Sequence, residues 1–128
     1  MSNVVDGKYY TKDHEWLSIE GEKAKLGITD YAQENLGDVV FVELPSVGDE
    51  FETGATVATI ESVKAVAEVY LPIAGQVSAI NEDLSADAAV LNSSPYENGW
   101  LVEFTGFDSS ALGDLMDAAG YKEFLTTL

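Results

Sequence analysis

The 128-residue sequence contains no cysteine and no arginine, and it has a single histidine. Without cysteine the chain has no disulfides, thiolate nucleophiles, iron–sulfur clusters or thiolate zinc sites, and thiol content says nothing about its compartment. One histidine, His14, excludes a metal site built from several histidines. No acidic segment has the ligand spacing of a calcium or magnesium loop. We therefore expect no metal site.

Positive charge is also scarce, because six lysines face 23 aspartates and glutamates and the net charge is −17. A surface this negative repels phosphate backbones and anionic lipid headgroups, so we expect neither nucleic acid nor a membrane as a partner. Proteins with basic surfaces are better candidate partners. Long apolar runs are missing as well, and the start of the sequence has the pattern of neither a signal peptide nor a transit peptide. These absences predict a cytoplasmic protein.

The chain lacks the residue combinations of an enzyme. No glycine-rich segment has the spacing of a dinucleotide fingerprint or the lysine ending of a phosphate loop. No serine stands out as a nucleophile beside His14. We expect a non-catalytic protein in which His14 has a surface or packing role.

The sequence does contain enough apolar material for the core of one domain, with 46% hydrophobic residues. Valine, tyrosine and isoleucine cluster in short runs separated by Gly, Pro and Asp, which is typical of short strands in a barrel or sandwich. The fold is thus predicted to be mostly β. Trp16 and Trp100 lie in strand-like surroundings and are expected to be core anchors. The strand-like runs are EWLSI, KAKLGI, VVFVEL, ATVATIE, AVAEVY, GQVSAI and WLVEF.

A short helix is expected in the segment TDYAQENLG. Asp30 is its expected N-cap, with Gln33 three residues later, and Gly37 is expected to end it with a positive φ. The longest weakly patterned segment, residues 81–99, is predicted to be a loop with a short helical turn around residues 86–90.

A helical cap is expected near the C-terminus, at about residues 109–127. Apolar residues recur there at helical spacing, and Gly120 is expected to break the helix. The apolar positions are Leu112, Leu115, Met116 and Ala119, and the expected cap is Ser109 or Ser110.

The segment IESVKAVAEVY contains the one lysine between Lys25 and Lys122. Strand-like residues flank it so closely that the chain must reverse there, which predicts a β-hairpin over about residues 57–70 with Lys64 at its tip. On position alone, a solubilising surface lysine is the ordinary explanation. Small neighbours, however, leave the backbone open to a modifying enzyme, and Glu61 offers such an enzyme a charge to read.

Five segments spread along the chain, YTKDHEW, GITDYAQENLGDVVFVELPSVG, ESVKA, PIAGQV and NSSPYENGW, are specific enough to indicate a family. Together they resemble the H proteins of the glycine cleavage system, which are lipoyl-carrying shuttles. The resemblance implies one lipoyl-carrier domain over residues 1–128. It also implies a lipoyl/biotinyl-type barrel-sandwich hybrid with short flanking helices, acting as a carrier and not as a catalyst.

The resemblance implies that Lys64 carries lipoic acid in amide linkage. Glu61 and Gly75 match the positions before and after the lysine that the family's lipoylating enzymes need, although a glycine at position 75 would equally suit the turn before the next strand. Biotin is the weaker alternative, because biotin carriers place methionine on both sides of the lysine. This chain has Val63 and Ala65 there.

In the family's cycle the lipoyl arm meets three enzymes. Glycine decarboxylase (the P protein) loads an aminomethyl group from glycine, and an aminomethyltransferase (the T protein) passes the one-carbon unit to tetrahydrofolate. Dihydrolipoamide dehydrogenase (the L protein) then reoxidises the dithiol. We expect these partners, the lipoylating enzymes, and a monomeric, bacterial, cytoplasmic protein. Two alternatives are a lipoyl relay that donates lipoyl groups to other complexes and an unmodified acidic interaction module.

The loaded arm bears an ammonium at neutral pH, so carboxylates near its resting place would favour it. Our candidates for contact with the aminomethyl arm are Glu15, in the matched HEW segment, and Glu68, four residues after Lys64. Each could instead be an ordinary solvated carboxylate. A pocket around them would keep water from the loaded group. Asn35 stands where some family members have histidine, so no titrating group is expected there.

Overall fold

The computed structural model describes residues 3–128, in which nine strands form two sheets around one main core. The first two residues of the expected domain lie outside the described part. The strands are β1 Tyr9–Tyr10, β2 Glu15–Glu20, β3 Lys23–Ile28, β4 Val39–Glu43, β5 Glu50–Phe51, β6 Thr56–Ser62, β7 Val66–Tyr70, β8 Gly75–Ile80 and β9 Val102–Thr105. The helices are α1 Asp30–Leu36, α2 Asp83–Ala86, α3 Val90–Ser93 and α4 Ala118–Leu125, with a 3₁₀ helix at Ser109–Asp114.

Both sheets are antiparallel and open. The larger has the order β1-β2-β3-β9-β8-β5, and the smaller has the order β4-β6-β7. All seven strand-like runs of the sequence form strands, and the prediction of a mostly β fold is confirmed. The two-residue strands β1 and β5 were too short to show a pattern. No helix among residues 3–128 is long and apolar enough to cross a membrane.

Bulges adjust which side chains face the core. In β6 the pairing register shifts between Thr56 and Ala58, so that Val57 and Ala58 are both buried although they are adjacent. In β4 the register shifts between Val39 and Phe41, which leaves neighbouring residues exposed instead. Strict alternation is therefore lost at these two places, as expected of a bulge.

A second, smaller core lies beneath α4. It is built on four buried residues, and the rings of Tyr10 and Tyr121 stack with centroids 4.7 Å apart. Trp16 belongs to it, donating from Nε1 to the Pro95 carbonyl at 3.0 Å, so its prediction as a core anchor is confirmed. Trp100 is only half-buried and packs against this cluster without belonging to its buried set, so its prediction as a core anchor is not confirmed.

The N-cap of helix α1 lies one residue earlier than predicted. Thr29, not Asp30, is the N-cap: its backbone is extended and its hydroxyl accepts from the Ala32 N–H at 3.3 Å. Asp30 is the first helical residue and accepts from the Gln33 amide at 2.7 Å. Threonine and aspartate are both good caps, and Thr29 takes the position because its chain is still extended there. Gly37 ends the helix with φ +74°, as predicted.

The prediction of one C-terminal helix that breaks at Gly120 is wrong. Met116 is extended, exchanging both backbone hydrogen bonds with Tyr10 at 2.7 and 2.9 Å, and this bridge separates the 3₁₀ helix from α4. Asp117 caps α4 by accepting from the Gly120 N–H at 2.8 Å, and the helix continues through Gly120. The prediction of a serine cap is also wrong. Asp108 precedes both serines, and its carboxylate caps the 3₁₀ helix.

The loop over residues 81–99 holds two short helices, α2 and α3, on either side of the expected turn at residues 86–90. Leu84 and Leu91, one on each helix, are fully buried. The two leucines anchor the helices to the core, so the helical turns form at the leucines and not between them.

The close approach of β3 to Trp16 leads to a prediction about stability. A Cβ at Gly27 would lie 2.5 Å from ring carbons of Trp16, whereas one at Gly113 would meet nothing within 4 Å. We expect Gly27→Ala to lower the free energy of unfolding by about 1–3 kcal/mol through overpacking. Gly113→Ala, the control, should change it by less than about 0.5 kcal/mol. Urea denaturation measures both, and equal midpoints would contradict the packing assignment.

Candidate functional site

Lys64 lies in the tight turn between β6 and β7. The Ser62 N–H donates to the Ala65 carbonyl at 2.8 Å, and the Ser62 hydroxyl accepts from the N–H groups of Lys64 and Ala65 at 3.3 and 3.0 Å. A serine hydroxyl that satisfies the turn's own N–H groups fixes its shape without bulky side chains. The turn thus presents an exposed lysine with an open backbone, as the sequence predicts.

The Lys64 side chain lies against the end of α1. A Cβ at Gly37 would come 3.3 Å from Lys64 Cε, so this glycine leaves the space along which the lysine stem runs. The turn is attached to the same segment by a bond from the Val63 N–H to the Asp38 carbonyl at 3.0 Å. Lys64 is therefore held beside α1 although its backbone is exposed.

A cleft of about 220 Å³ lies between α1, β7 and the turn before β2, and its wall residue Leu36 directly precedes Gly37, against which the Lys64 stem lies. Its walls include apolar side chains, together with Glu15 from β2, Glu68 from β7 and Asn35 from α1. The two carboxylates chosen from the sequence are thus brought to one cavity, although 53 positions separate them in the chain. Such a cavity combines an apolar wall with a few convergent polar groups, as small-molecule sites do.

Glu15 is only 3% exposed. One carboxylate oxygen accepts from the Tyr70 N–H at 2.6 Å and the other from the Thr11 hydroxyl at 3.1 Å. Burial raises the pKa of Glu15 to about 7, although both hydrogen bonds oppose that rise. Glu15 is therefore not an ordinary solvated carboxylate.

Glu68 differs from Glu15 because it is exposed at the edge of the cleft. It accepts from the Tyr70 hydroxyl at 3.3 Å, and its charge raises the pKa of Tyr70. The cleft thus has one buried carboxylate, Glu15, and two exposed ones, Glu68 and Asp13.

His14 also lines the cleft, a position that sequence reasoning missed. Its Nδ1 lies 2.8 Å from the Tyr121 hydroxyl, its ring packs against that of Tyr31 with centroids 4.5 Å apart, and burial lowers its pKa. His14 therefore has the packing contacts that were expected, but it also makes a hydrogen bond and lines the cleft. The adjacent Glu15 was the available signal for His14, whereas nothing local in the sequence points to Tyr121, 107 residues away.

The two predicted recognition residues lie in different places. Glu61 is exposed on β6, opposite Val66 and near the Lys64 turn. Gly75 begins β8 in the other sheet, beyond the full length of β7. A Cβ at Gly75 would lie 2.6 Å from the Phe104 ring, so packing alone requires glycine there. Their recognition by a lipoylating enzyme stays a prediction.

Exposed apolar side chains surround the turn, which sequence reasoning did not single out. Val63 and Val66 are 71% and 64% exposed, and Val40 and Phe41 on the neighbouring edge strand are 58% and 49% exposed. We call these four residues the apolar collar. Apolar surface kept in water around a single lysine is typical of a protein contact surface.

Comparison with known proteins gives consistent similarities. The family model for the glycine cleavage H-protein matches residues 8–128. The glycine cleavage system H protein of Halalkalibacterium halodurans is 45% identical over 126 residues, covering 98% of each chain. That of Bacteroides thetaiotaomicron is 49% identical over 120 residues, covering 94% of this chain and 95% of its own. The crystal structure of a glycine cleavage system H protein from Mycobacterium marinum aligns with a TM-score of 0.75 at 34% identity, over 87% of this chain and 98% of that one.

Burial of Glu15 predicts a specific pH dependence of stability. Between its ordinary pKa of 4.5 and its folded pKa of about 7, the folded state binds a proton that the unfolded state has released. The contribution of Glu15 to stability is therefore full below pH 4.5 and is lost as the pH rises to about 7. Relative to Glu15→Gln, the wild type should lose unfolding free energy across this window, by on the order of a few kcal/mol.

The measurement is urea denaturation of both proteins at a series of pH values. Glu20→Gln, on the same strand but exposed, serves as the control and should track the wild type throughout. A constant difference between wild type and Glu15→Gln from pH 4.5 to 7 would show that Glu15 ionises normally in the folded state.

Proposed function

The chain belongs to the glycine cleavage H-protein family, and from this premise we propose that Lys64 is its lipoyl-attachment residue. The family makes it the non-catalytic, lipoyl-carrying shuttle of the glycine cleavage system. The observation that carries the residue assignment is the position of Lys64 on an exposed turn, with its stem against Gly37 at the end of α1, a helix that lines a cleft with three carboxylates.

The residues around Lys64 fit a lipoyl group. Ser62 and Ala65 leave room for a modifying active site to reach the lysine, and Gly37 provides the space for its stem. The apolar part of the cleft suits an aliphatic arm, whose surface is better buried than left in water. When bound in amide linkage, lipoic acid supplies a disulfide that opens to a dithiol and holds the one-carbon cargo.

Glu15 would stabilise the cargo's charge. The cargo amine is an ammonium at neutral pH, and a cation next to a buried carboxylate favours the ionised form of that carboxylate. Glu15 therefore gives up its proton as the ammonium enters, and the resulting pair is stronger in the cleft than it would be in water. Glu68 and Asp13 are further carboxylates of the cleft lining, and Asn35 contributes a neutral amide. The same enclosure keeps water from the cargo.

Glu61 and Gly75 are proposed to be read by the lipoylating enzymes. Glu61 supports this role because it is exposed on the strand that leads to Lys64. For Gly75 the support is weaker, because its contact with Phe104 already explains the glycine.

The proposed partners are the P, T and L proteins of the system, in addition to the lipoylating enzymes. All of them must reach the same tip, so each would meet the apolar collar and the acidic surface around it. The net charge of −17 favours partners with basic docking surfaces, which would accelerate encounter. A monomer in the bacterial cytoplasm is part of the same proposal. A lipoyl relay would use the same lysine, and no observation on residues 3–128 favours it.

Intact mass tests the attachment site. Protein purified from its own host should carry a lipoyl increment that is absent from Lys64→Arg, while Lys122→Arg, the control, keeps it. An unmodified wild type, in cells that lipoylate their other proteins, would instead support an unmodified acidic interaction module. An increment that persists in Lys64→Arg would place the group on another lysine.

Cargo retention tests the cleft. In lipoylated protein loaded by P protein and glycine, Glu15→Gln with Glu68→Gln should release the one-carbon cargo roughly tenfold faster in the absence of T protein, the factor that 1.4 kcal/mol represents. Glu20→Gln is the matched control, removing a carboxylate elsewhere on β2. Unchanged release in the double variant would exclude these carboxylates as the stabilising contacts.

A further inference from the structure

We propose that Tyr121 is a positioning residue for the cleft, whose hydroxyl holds His14 as a neutral imidazole with its proton on Nε2. This proposal rests on the proposed function, because its consequence is that the cleft beside Lys64 gains no positive charge from His14 when the cargo ammonium enters. The residue lies on α4, outside the segments that form the lipoyl hairpin.

The Tyr121 hydroxyl joins three parts of the chain. It lies 2.8 Å from His14 Nδ1, in the turn before β2, and 2.8 Å from Thr29 Oγ1, at the start of α1. Tyr121 and Thr29 are both fully buried. The turn before β2 and helix α1 form walls of the cleft, so α4 is connected to both walls through the Tyr121 hydroxyl oxygen.

The direction of these hydrogen bonds follows from donor and acceptor counting. Thr29 Oγ1 accepts from the Ala32 N–H, and its own proton needs an acceptor, which the Tyr121 oxygen provides. Tyr121 then donates to His14 Nδ1, which must be unprotonated, so the ring proton lies on Nε2. Placing a proton on Nδ1 would reverse the chain of bonds and leave the buried Thr29 hydroxyl without an acceptor, which is costly.

The backbone of His14 adds a second indication. Its φ is +66°, and among residues 3–128 it alone of the non-glycine residues has a positive φ. That conformation is unfavourable for a histidine, and strained residues of this kind cluster at functional sites. It is held by bonds from the His14 N–H to the Thr11 carbonyl at 3.1 Å and from the Thr29 N–H to the His14 carbonyl at 3.0 Å. The ring is thus directed by the fold and not by local preference.

The charge of His14 matters because it shares the cleft with the proposed ammonium. The titratable groups around it are Asp13 and Glu15 from its own segment, Tyr31 from α1, Tyr121 from α4 and Glu68 from β7, which lines the same cleft. Burial lowers the pKa of His14 and the charge of Asp13 opposes this effect. The hydrogen bonds through Tyr121 also lower the pKa of His14, because they are compatible only with the neutral ring. The cleft therefore keeps its negative balance for the cargo.

The first test is the protonation of His14, measured by ¹⁵N NMR of the unmodified protein over a pH series. The wild type should show Nδ1 unprotonated and Nε2 protonated near neutral pH. Tyr121→Phe keeps the ring that stacks on Tyr10 but removes the hydroxyl, so the His14 pKa should rise and the tautomers should mix. Tyr31→Phe is the matched control, because Tyr31 contacts the same ring by packing and should leave the tautomer unchanged.

The second test is release of the cargo from the loaded protein below pH 7. Tyr121→Phe should release it several-fold faster than wild type as the pH falls, whereas Tyr31→Phe should not. His14→Asn removes the titrating ring and tolerates a positive φ, so in that background Tyr121→Phe should have no further effect. If Tyr121→Phe folds poorly, His14→Asn alone still tests the proposal, because it should release the cargo no faster than wild type on acidification.

The outcomes separate this proposal from the proposed function. A wild-type His14 protonated on Nδ1, or a tautomer and pKa unchanged in Tyr121→Phe, overturns the proposal whether or not Lys64 is lipoylated. A shifted tautomer with unchanged cargo release overturns the positioning role. Failure of the proposed function shows instead as the absence of a lipoyl increment in the intact mass, which the NMR experiment does not use.

Discussion

The hydrogen bond from the Tyr70 N–H to the Glu15 carboxylate, 2.6 Å long, joins the two sheets beside the cleft. Glu15 begins β2 in the larger sheet and Tyr70 ends β7, an edge strand of the smaller one. A partly buried backbone N–H at the end of a strand needs an acceptor, and the carboxylate provides it. Stability and function thus place opposite demands on Glu15, because burial favours its neutral form and the proposed ammonium favours its charged form.

The positions of the other parts of the site depend on this hydrogen bond between the sheets. β7 leads back from the Lys64 turn to Tyr70, so fixing its far end also fixes the face that carries Glu68. On the opposite side, α1 is held at its start through Thr29 and ends at Gly37, where the lysine stem lies. The protein therefore positions the Lys64 side chain and a cavity relative to each other, as the proposed carrier role requires.

Local features of the sequence predicted the strands and the Lys64 hairpin, because alternation and tight turns depend on neighbouring residues. They failed where two adjacent residues compete for one role, as Thr29 and Asp30 do at the cap of α1. They also failed where a distant partner decides the conformation. Met116 is extended because it pairs with Tyr10, so the C-terminal helical pattern could not continue through it.

The site shows the same division. Glu15 and Glu68 were chosen from the sequence, but the burial of Glu15 depends on a contact with a residue 55 positions away. The contact of His14 with Tyr121 spans 107 positions, and the residues around either of them do not predict it. Family resemblance indicated which residues to consider, whereas only the folded chain distinguishes a buried carboxylate from a solvated one.

Amide NMR shifts would show whether the loaded arm enters the cleft near Lys64. Spectra of the unmodified, lipoylated and cargo-loaded protein would be compared at one pH. Because the Tyr70 N–H is hydrogen-bonded to Glu15, loading should shift the Tyr70 amide beyond any change caused by lipoylation alone. Shifts confined to the turn around Lys64, with the Tyr70 amide unmoved, would mean that the loaded arm stays in solvent and that the cleft does not receive it.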